Sequence, residues 1–162
     1  MVNSVKHVRV FRPGDSAEVL GRQGQHLIPC VTTETCGAEG ISAGLVRMPP
    51  GKASKAHYHA RSEIVVVCLS GLAATLIGPQ LTPHLHGPGE FIFIPEGVVH
   101  VAVNLSDTEE LTAVEMRTDP NFDDDVVLTP EFESGVPDVV ARLRHEYAQS
   151  PRAHPRPTAV TG

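Results

Sequence analysis

Short apolar segments separated by glycine- and proline-rich turns recur along most of this chain. Turn signals stand at residues 49–51, 87–89 and 95–97, and the segments between such turns are rich in Val, Ile, Leu and Phe. Regularly spaced short strands with this punctuation are typical of a β-sandwich or β-barrel, so the sequence predicts an all-β fold. The clearest predicted strands are residues 41–48, 64–69, 73–77, 91–94, 100–103 and 111–116.

The chain is long enough for one domain, since it has 162 residues of which 41% are hydrophobic. Val139, Leu143 and Tyr147 are spaced by four residues, which predicts a helix over residues 137–149. The polar, proline-containing residues after it are typical of disorder. The predicted parts are an N-terminal arm (1–24), a barrel (25–118), an acidic loop with the C-terminal helix (119–149) and a disordered tail (150–162).

The charge and the cysteine content argue against several classes of protein. The net charge is −6 and the 13 Lys and Arg residues are scattered, so we expect no binding to nucleic acid or to anionic lipid. No run of about 18 uncharged apolar residues occurs that would span a membrane. Three cysteines without the spacing of a metal site favour reduced thiols over a disulfide framework. These features predict a soluble, cytoplasmic protein.

Histidines are concentrated in the middle of the chain. His57 and His59 are two residues apart, and Glu63 follows four residues later. Residues two or four apart on a strand point to the same side, so these three side chains converge if the segment stays extended. His100 begins another predicted strand and would add a third imidazole. Imidazoles with a carboxylate are a common ligand set for a divalent transition metal.

Both stretches that contain these histidines resemble the paired sequence signatures of the cupin superfamily. The first signature is matched by Gly51, His57, His59, Glu63 and Gly71. The second signature is matched at every fixed position by Gly89, Pro95, Gly97, His100 and Asn104. The first match departs from the family in one respect, because seven residues instead of six separate Glu63 from Gly71.

The resemblance implies both a fold and a ligand set. The fold is a double-stranded β-helix, or jelly roll, which in this chain is followed by the short C-terminal helix. The implied site is one divalent metal ion held by His57, His59, Glu63 and His100. The family also implies a homodimer. Residues 64–69 favour the same assembly, because this strand is apolar at every position and would present one face to the barrel interior and the other to a second copy.

Three further residues are candidate catalytic groups. His84 and His86 lie on the same side of a short strand, and they either line the cavity or lie on the surface. Glu115 stands in an apolar strand and is either an outward residue or a buried acid with a raised pKa. Residues 123–125 form an acidic run that is most simply a solvated loop.

The predicted ligand set is compatible with several metals and with three kinds of function. Fe²⁺ is favoured, and Mn²⁺, Ni²⁺, Co²⁺, Cu²⁺ and Zn²⁺ suit the same ligands. The first predicted function is a mononuclear iron(II)-type dioxygenase acting on a small organic molecule. The second is a non-redox isomerase, lyase or polyketide cyclase, in which His84, His86 or Glu115 moves protons. The third is a binding protein that holds its ligand unchanged. Because the chain has no Trp, two Tyr and five Phe, we expect mainly aliphatic cavity walls.

Overall fold

Two antiparallel β-sheets make up most of the protein in the computed structural model, which describes residues 7–149. This architecture, with a helix at its carboxyl end, confirms the predicted all-β jelly roll. The predicted disordered tail, residues 150–162, lies outside the described residues. Between residues 7 and 149, no helix combines the length and the apolar character needed to cross a membrane.

The first sheet contains six strands, numbered along the chain. In spatial order they are β1 (Val19–Leu20), β2 (His26–Val31), β3 (Ser42–Met48), β10 (Leu111–Arg117), β5 (Ile64–Ser70) and β8 (Phe91–Ile94). On β10, Glu115 pairs with Gly44 of β3 on one side and with Val66 of β5 on the other. Residues of β10 alternate between buried and half-buried, which places Glu115 and Arg117 together on the inner side.

The second sheet contains five strands and carries the histidines of the signatures. In spatial order they are β11 (Val126–Leu128), β4 (His57–His59), β9 (His100–Asn104), β6 (Ala73–Ile77) and β7 (Thr82–His86). The other elements are helix α1 (Thr33–Cys36), a 3₁₀ turn (Pro130–Phe132) and helix α2 (Val136–Gln149). Helix α2 begins one residue before the predicted start.

Two apolar clusters stabilise this arrangement. One lies between the sheets and includes Phe122. The other lies on the outer side of the second sheet, where α2 buries Val140 and Leu143. Val139 and Tyr147 pack against the edge of that cluster, so the predicted apolar stripe is the face on which α2 docks. The helix therefore covers the second sheet from outside.

An apolar patch remains open on the outer side of the first sheet. Phe91 and Phe93 of β8 are 71% and 57% exposed, and they pair with Val67 and Val65 of β5. Leu69, further along β5, is also exposed. We call these five residues the β5–β8 patch.

The segment 118–125 connects β10 with β11 and inserts Phe122 into the space between the sheets. Phe122 is fully buried. Its backbone φ of 78° lies in the left-handed region, which residues other than glycine rarely adopt. The guanidinium of Arg117 lies 4.5 Å from the centroid of its ring. A Cβ at Gly44 would stand 2.9 Å from that ring and 2.5 Å from the Ile28 carbonyl oxygen, so only glycine fits beside Phe122.

Candidate metal centre

His57, His59 and His100 meet on the inner side of the second sheet. Strands β4 and β9 pair directly at His57 and His100, and His59 lies two residues further along the same face. One nitrogen from each of the three rings lies within 4.8 Å of the others, and all three residues are buried. Two adjacent strands thus bring together the three histidines that the sequence singles out.

Backbone carbonyls orient two of the three rings. His57 Nδ1 lies 2.8 Å from the carbonyl oxygen of Lys55, and His100 Nδ1 lies 2.9 Å from that of Val98. A carbonyl oxygen only accepts, so each Nδ1 carries the proton and donates it. The Nε2 lone pair of each ring is then free for a ligand, as in most histidines that bind metals.

Asp125 orients the third ring. His59 Nδ1 lies 3.2 Å from Asp125 Oδ1, and both side chains are buried. Asp125 Oδ2 accepts hydrogen bonds from Ser62 Oγ at 2.6 Å and from the Arg61 backbone N–H at 3.1 Å. His59 Nε2 is buried and has no hydrogen-bond partner among residues 7–149. A buried lone pair without a donor fits a bound metal ion, because the ion would supply the missing partner.

Burial keeps the three rings in the uncharged form that binds metals. It lowers the pKa of His57 well below the ordinary value, and the neighbouring His100 lowers that pKa further. Burial also lowers the pKa of His59, with the charge of Arg117 acting in the same direction. The pKa of His100 is lowered to about 4, again mainly by burial. The site is therefore ready for a cation at neutral pH.

The metal-free protein should lose stability as the pH falls from about 6.5 towards 4. Over this range the unfolded chain, with histidine pKa values near 6.5, binds protons that His57, His59 and His100 do not bind in the folded state. The free energy of unfolding therefore decreases, and for His100 alone the loss at pH 4 is on the order of 3 kcal/mol. Urea denaturation of chelator-treated protein across this range measures the effect, and a free energy independent of pH would contradict it.

Glu63 is not part of the cluster formed by the three histidines, contrary to the predicted ligand set. Strand β4 ends at His59, and the chain bends at residues 60–61 before β5 begins. The same-side rule for alternate residues holds only along a continuous strand, so it fails across this bend. Glu63 is exposed, and its backbone N–H donates a hydrogen bond to Thr118 Oγ1 at 2.9 Å.

A cavity of about 40 Å³ lies between the sheets beside His57 and His100. Its walls are mainly aliphatic, as predicted, with sulfur atoms from Met48 and Cys68. Within residues 7–149, no Phe or Tyr lines it. Such a volume has room for a few water molecules or for a small ligand. The other polar side chains on its wall are Gln25, Thr75, His86 and Glu115.

Glu115 is buried on the cavity wall next to Arg117. It is 5% exposed, and its Oε1 accepts a hydrogen bond from Arg117 Nε at 2.7 Å. Burial opposes ionisation of Glu115, but the charge and the hydrogen bond of Arg117 outweigh it, and the pKa of Glu115 is lowered. The buried alternative is thus the one observed, while the raised pKa expected with it is wrong because a cation compensates the desolvation.

His86 and His84 have different surroundings. His86 is buried and lines the cavity, and its Nε2 lies 2.9 Å from Thr75 Oγ1. Burial lowers the pKa of His86, so the ring is neutral at pH 7. His84 lies on the same strand but is exposed, because β7 forms the edge of the second sheet. Only His86 of this pair is placed to contact a molecule in the cavity.

The acidic run at residues 123–125 is only partly the solvated loop that the sequence suggests. Asp125 is buried against His59, because β11 starts at Val126 and pairs with β4. Asp123 lies close to Arg117, with 3.4 Å between Asp123 Oδ1 and Arg117 Nη1. Since His59 and Asp125 are 66 positions apart in the sequence, no local pattern identifies this partner.

A protein-family model and several solved structures resemble this chain. The family model, described as "Cupin domain", matches residues 44–116, a range that includes His57, His59 and His100. Among curated proteins, no significant match is found.

The similar structures have low sequence identity. A sugar phosphate isomerase of the cupin superfamily from Silicibacter pomeroyi DSS-3 is 21% identical, with a TM-score of 0.56 over 68% of this chain and 75% of that one. The polyketide cyclase RemF from Streptomyces resistomycificus is 20% identical, with a TM-score of 0.64 over 76% of this chain and 86% of that one. An oxalate decarboxylase from Lactobacillus farciminis is 20% identical, with a TM-score of 0.62 over 86% of this chain but only 42% of that one.

At such identities these structures establish the fold and not the activity. The family match is a second, independent finding, and it extends from β3 to β10. The same match spans both stretches that carry the histidine signatures. Residues 44–116 thus match the cupin-domain family model, and the described residues share the fold of the similar structures.

Proposed function

We propose that this protein is a metal-dependent enzyme that converts a small organic molecule, and that it acts as an iron(II) dioxygenase. The observation that carries the proposal is the buried Nε2 of His59, which lacks a partner among residues 7–149 and lies beside two further oriented histidines. His57, His59 and His100 would hold the ion. When bound, iron(II) would supply a centre at which a substrate reacts with dioxygen.

The residues around the centre would bind the substrate and exclude water. Three protein ligands leave further coordination positions for a substrate and dioxygen. Aliphatic side chains such as Ile64, Val66 and Ala113 line the cavity and keep bulk water from a bound molecule. Arg117 holds the Glu115 carboxylate in place at the cavity wall, where it can accept a hydrogen bond or a proton from the substrate.

A non-redox reaction is the second candidate, and a specific observation favours it. Glu115 presents an ionised carboxylate to the cavity, and the neutral ring of His86 lines the same space. A carboxylate base next to a metal-polarised carbonyl can promote isomerisation, elimination or cyclisation. Two of the similar structures are named as an isomerase and a cyclase.

Oxygen consumption separates the two candidates. The protein is stripped with a chelator, loaded anaerobically with iron(II) or zinc(II), and offered small hydroxyketones and 1,3-diketones. A dioxygenase consumes oxygen with iron only, loses this activity in His59→Ala and keeps it in Glu63→Gln. A non-redox enzyme converts the compound with zinc and without oxygen uptake. Binding without conversion by either form would overturn both candidates in favour of a binding protein.

We also propose that two copies associate through the β5–β8 patch. The patch is apolar and uncharged although the chain carries a net charge of −6, so a contact between two patches avoids repulsion of like charges. Exposed apolar patches of this kind are typical of interaction sites. Within the predicted interface strand, Val65 and Val67 face outward, whereas Val66 lines the cavity.

Replacing Phe91 and Phe93 together by glutamate should convert the dimer into monomers. Both side chains are exposed, so one copy can fold normally, while two copies would face each other with opposed negative charges. Size-exclusion chromatography with light scattering measures the mass. Val127→Glu, on edge strand β11, is the matched control and should stay dimeric. A monomeric wild type or a dimeric double variant would contradict the proposed interface.

A cytoplasmic location is the last part of this proposal. Cys30, Cys36 and Cys68 are all free thiols, which persist in reducing compartments. Burial raises the pKa of Cys68 to about 11, so this thiol on the cavity wall stays protonated and unreactive. Recovery of the protein in a cytoplasmic fraction would support this location, and recovery in a secreted or membrane fraction would contradict it.

A further inference from the structure

The cavity wall has an unusual distribution of charge for a site built around a cation. Among residues 7–149, Glu115 is the only formally charged side chain that lines it, and no Lys or Arg reaches it. Its other polar groups are neutral, and most are paired; the exception outside the metal centre is His86 Nδ1, which has no hydrogen-bond partner among the described residues. The amide of Gln25 contacts Gln23 and Met48, and Thr75 contacts His86. Apart from a metal, the wall therefore offers an anionic acceptor and no cation.

Arg117 is close to Glu115, but it is not available to an anionic ligand. Its Nε donates to Glu115, and its Nη1 donates to the Phe122 carbonyl and lies near Asp123. Its Nη2 has no partner among residues 7–149, yet Arg117 is fully buried and does not line the cavity. Its charge acts through Glu115, which stands between the guanidinium and the cavity.

One oxygen of Glu115 remains unused. Oε1 accepts the hydrogen bond from Arg117 Nε, whereas Oε2 accepts none from any residue between 7 and 149. Because Glu115 lines the cavity, this oxygen is placed to accept a hydrogen bond from a ligand or from water there. A ligand that carries a hydroxyl group would meet this requirement, whereas an anionic oxygen in the same place would be repelled.

We propose that the cavity selects small, uncharged, chelating molecules with an O–H group next to a carbonyl, and that Glu115 is the residue that excludes preformed dianions. This inference rests on the proposed metal centre. The chelating oxygens would face the ion, and the O–H group would donate to Glu115 Oε2. Hydroxyketones, enols of 1,3-diketones and hydroxamic acids meet these criteria. Oxalate and phosphate esters do not.

Two probes of similar size and different charge test this inference. Acetohydroxamic acid is uncharged at neutral pH and carries an O–H beside a carbonyl, whereas oxalate is a dianion. Each is titrated into cobalt(II)-loaded protein, and binding is followed by the visible spectrum of the cobalt ion. We expect the wild type to bind acetohydroxamic acid more tightly. The preference is the ratio of the two dissociation constants. In Glu115→Gln this ratio should shift towards oxalate by at least about tenfold, because the hydroxamic acid loses its hydrogen bond to a charged group and oxalate no longer meets an anion.

Matched variants make the result decisive. Glu63→Gln removes an exposed carboxylate outside the cavity and should keep the wild-type preference. If Glu115→Gln does not fold because Arg117 loses its partner, the double variant Glu115→Gln with Arg117→Met removes both charges together and should show the same shift. An unchanged preference, or tighter binding of oxalate by the wild type, would overturn the inference while leaving the metal centre intact. Failure to bind cobalt would overturn both.

Discussion

Arg117→Met is expected to lower the free energy of unfolding by about 3–5 kcal/mol, because it leaves a buried carboxylate without its cation. The Arg117 side chain is 0% exposed, and its Nε lies 2.7 Å from Glu115 Oε1. The substitution also removes the contact with the Phe122 ring and the hydrogen bond to its carbonyl, which hold segment 118–125 between the sheets. Urea denaturation at neutral pH measures the loss.

Arg47→Met provides the matched control for this prediction. Arg47 also forms two ion pairs, with Glu18 and Glu110, but its side chain is 44% exposed. Water screens such pairs, so the substitution should have a much smaller effect than Arg117→Met. Equal losses for the two variants would contradict the account. Replacing Glu115 by glutamine together with Arg117→Met should restore part of the stability, because no unpaired charge then remains buried.

His59→Ala is expected to weaken zinc(II) binding by at least about a hundredfold, because one of the three nitrogen ligands is lost. The remaining ligands, His57 and His100, would form a two-coordinate protein site, which is unusual for structural or catalytic zinc. Competition with a chromophoric chelator measures the affinity. The alanine variant should fold, since β4 is held by its pairing with β9 and β11.

Two further variants should lose less zinc affinity than His59→Ala. Asp125→Asn keeps the shape of the side chain that orients His59 but weakens its hold on the ring, so it should cost about 10–100-fold in affinity. Glu63→Gln should change nothing, because Glu63 is exposed and lies outside the histidine cluster. A Glu63→Gln variant that loses as much affinity as His59→Ala would contradict the site as described.

Local patterns in the sequence were sufficient for the six clearest strands and for the three histidines, whereas β1, β2 and β11 were not predicted. Glycine- and proline-rich turns delimit short segments rich in Val, Ile, Leu and Phe, which is why these six strands could be predicted. His57 and His59 lie on a short uninterrupted strand, where the same-side rule is valid. Glu63 lies beyond a bend, and the same rule fails there because it describes one strand and not two.

The residues that support the site depend on tertiary structure and had no comparable signal. Asp125 reaches His59 only because β11 is added to the edge of the second sheet beside β4. Glu115 and Arg117 carry a usable clue, since opposite charges two residues apart in an apolar strand share one side and can enter the core as a pair. That clue favours a buried Glu115 with a lowered pKa, in agreement with its burial and its ion pair with Arg117 in the structure.

X-ray absorption spectroscopy of the zinc-loaded protein tests the central claim most directly. We expect three imidazole nitrogens at about 2.0–2.1 Å from the metal in the wild type, the same three in Glu63→Gln, and two in His59→Ala. Fewer than three imidazoles in the wild type, or a first shell that changes when Glu63 is replaced, would contradict the assignment of the centre to His57, His59 and His100.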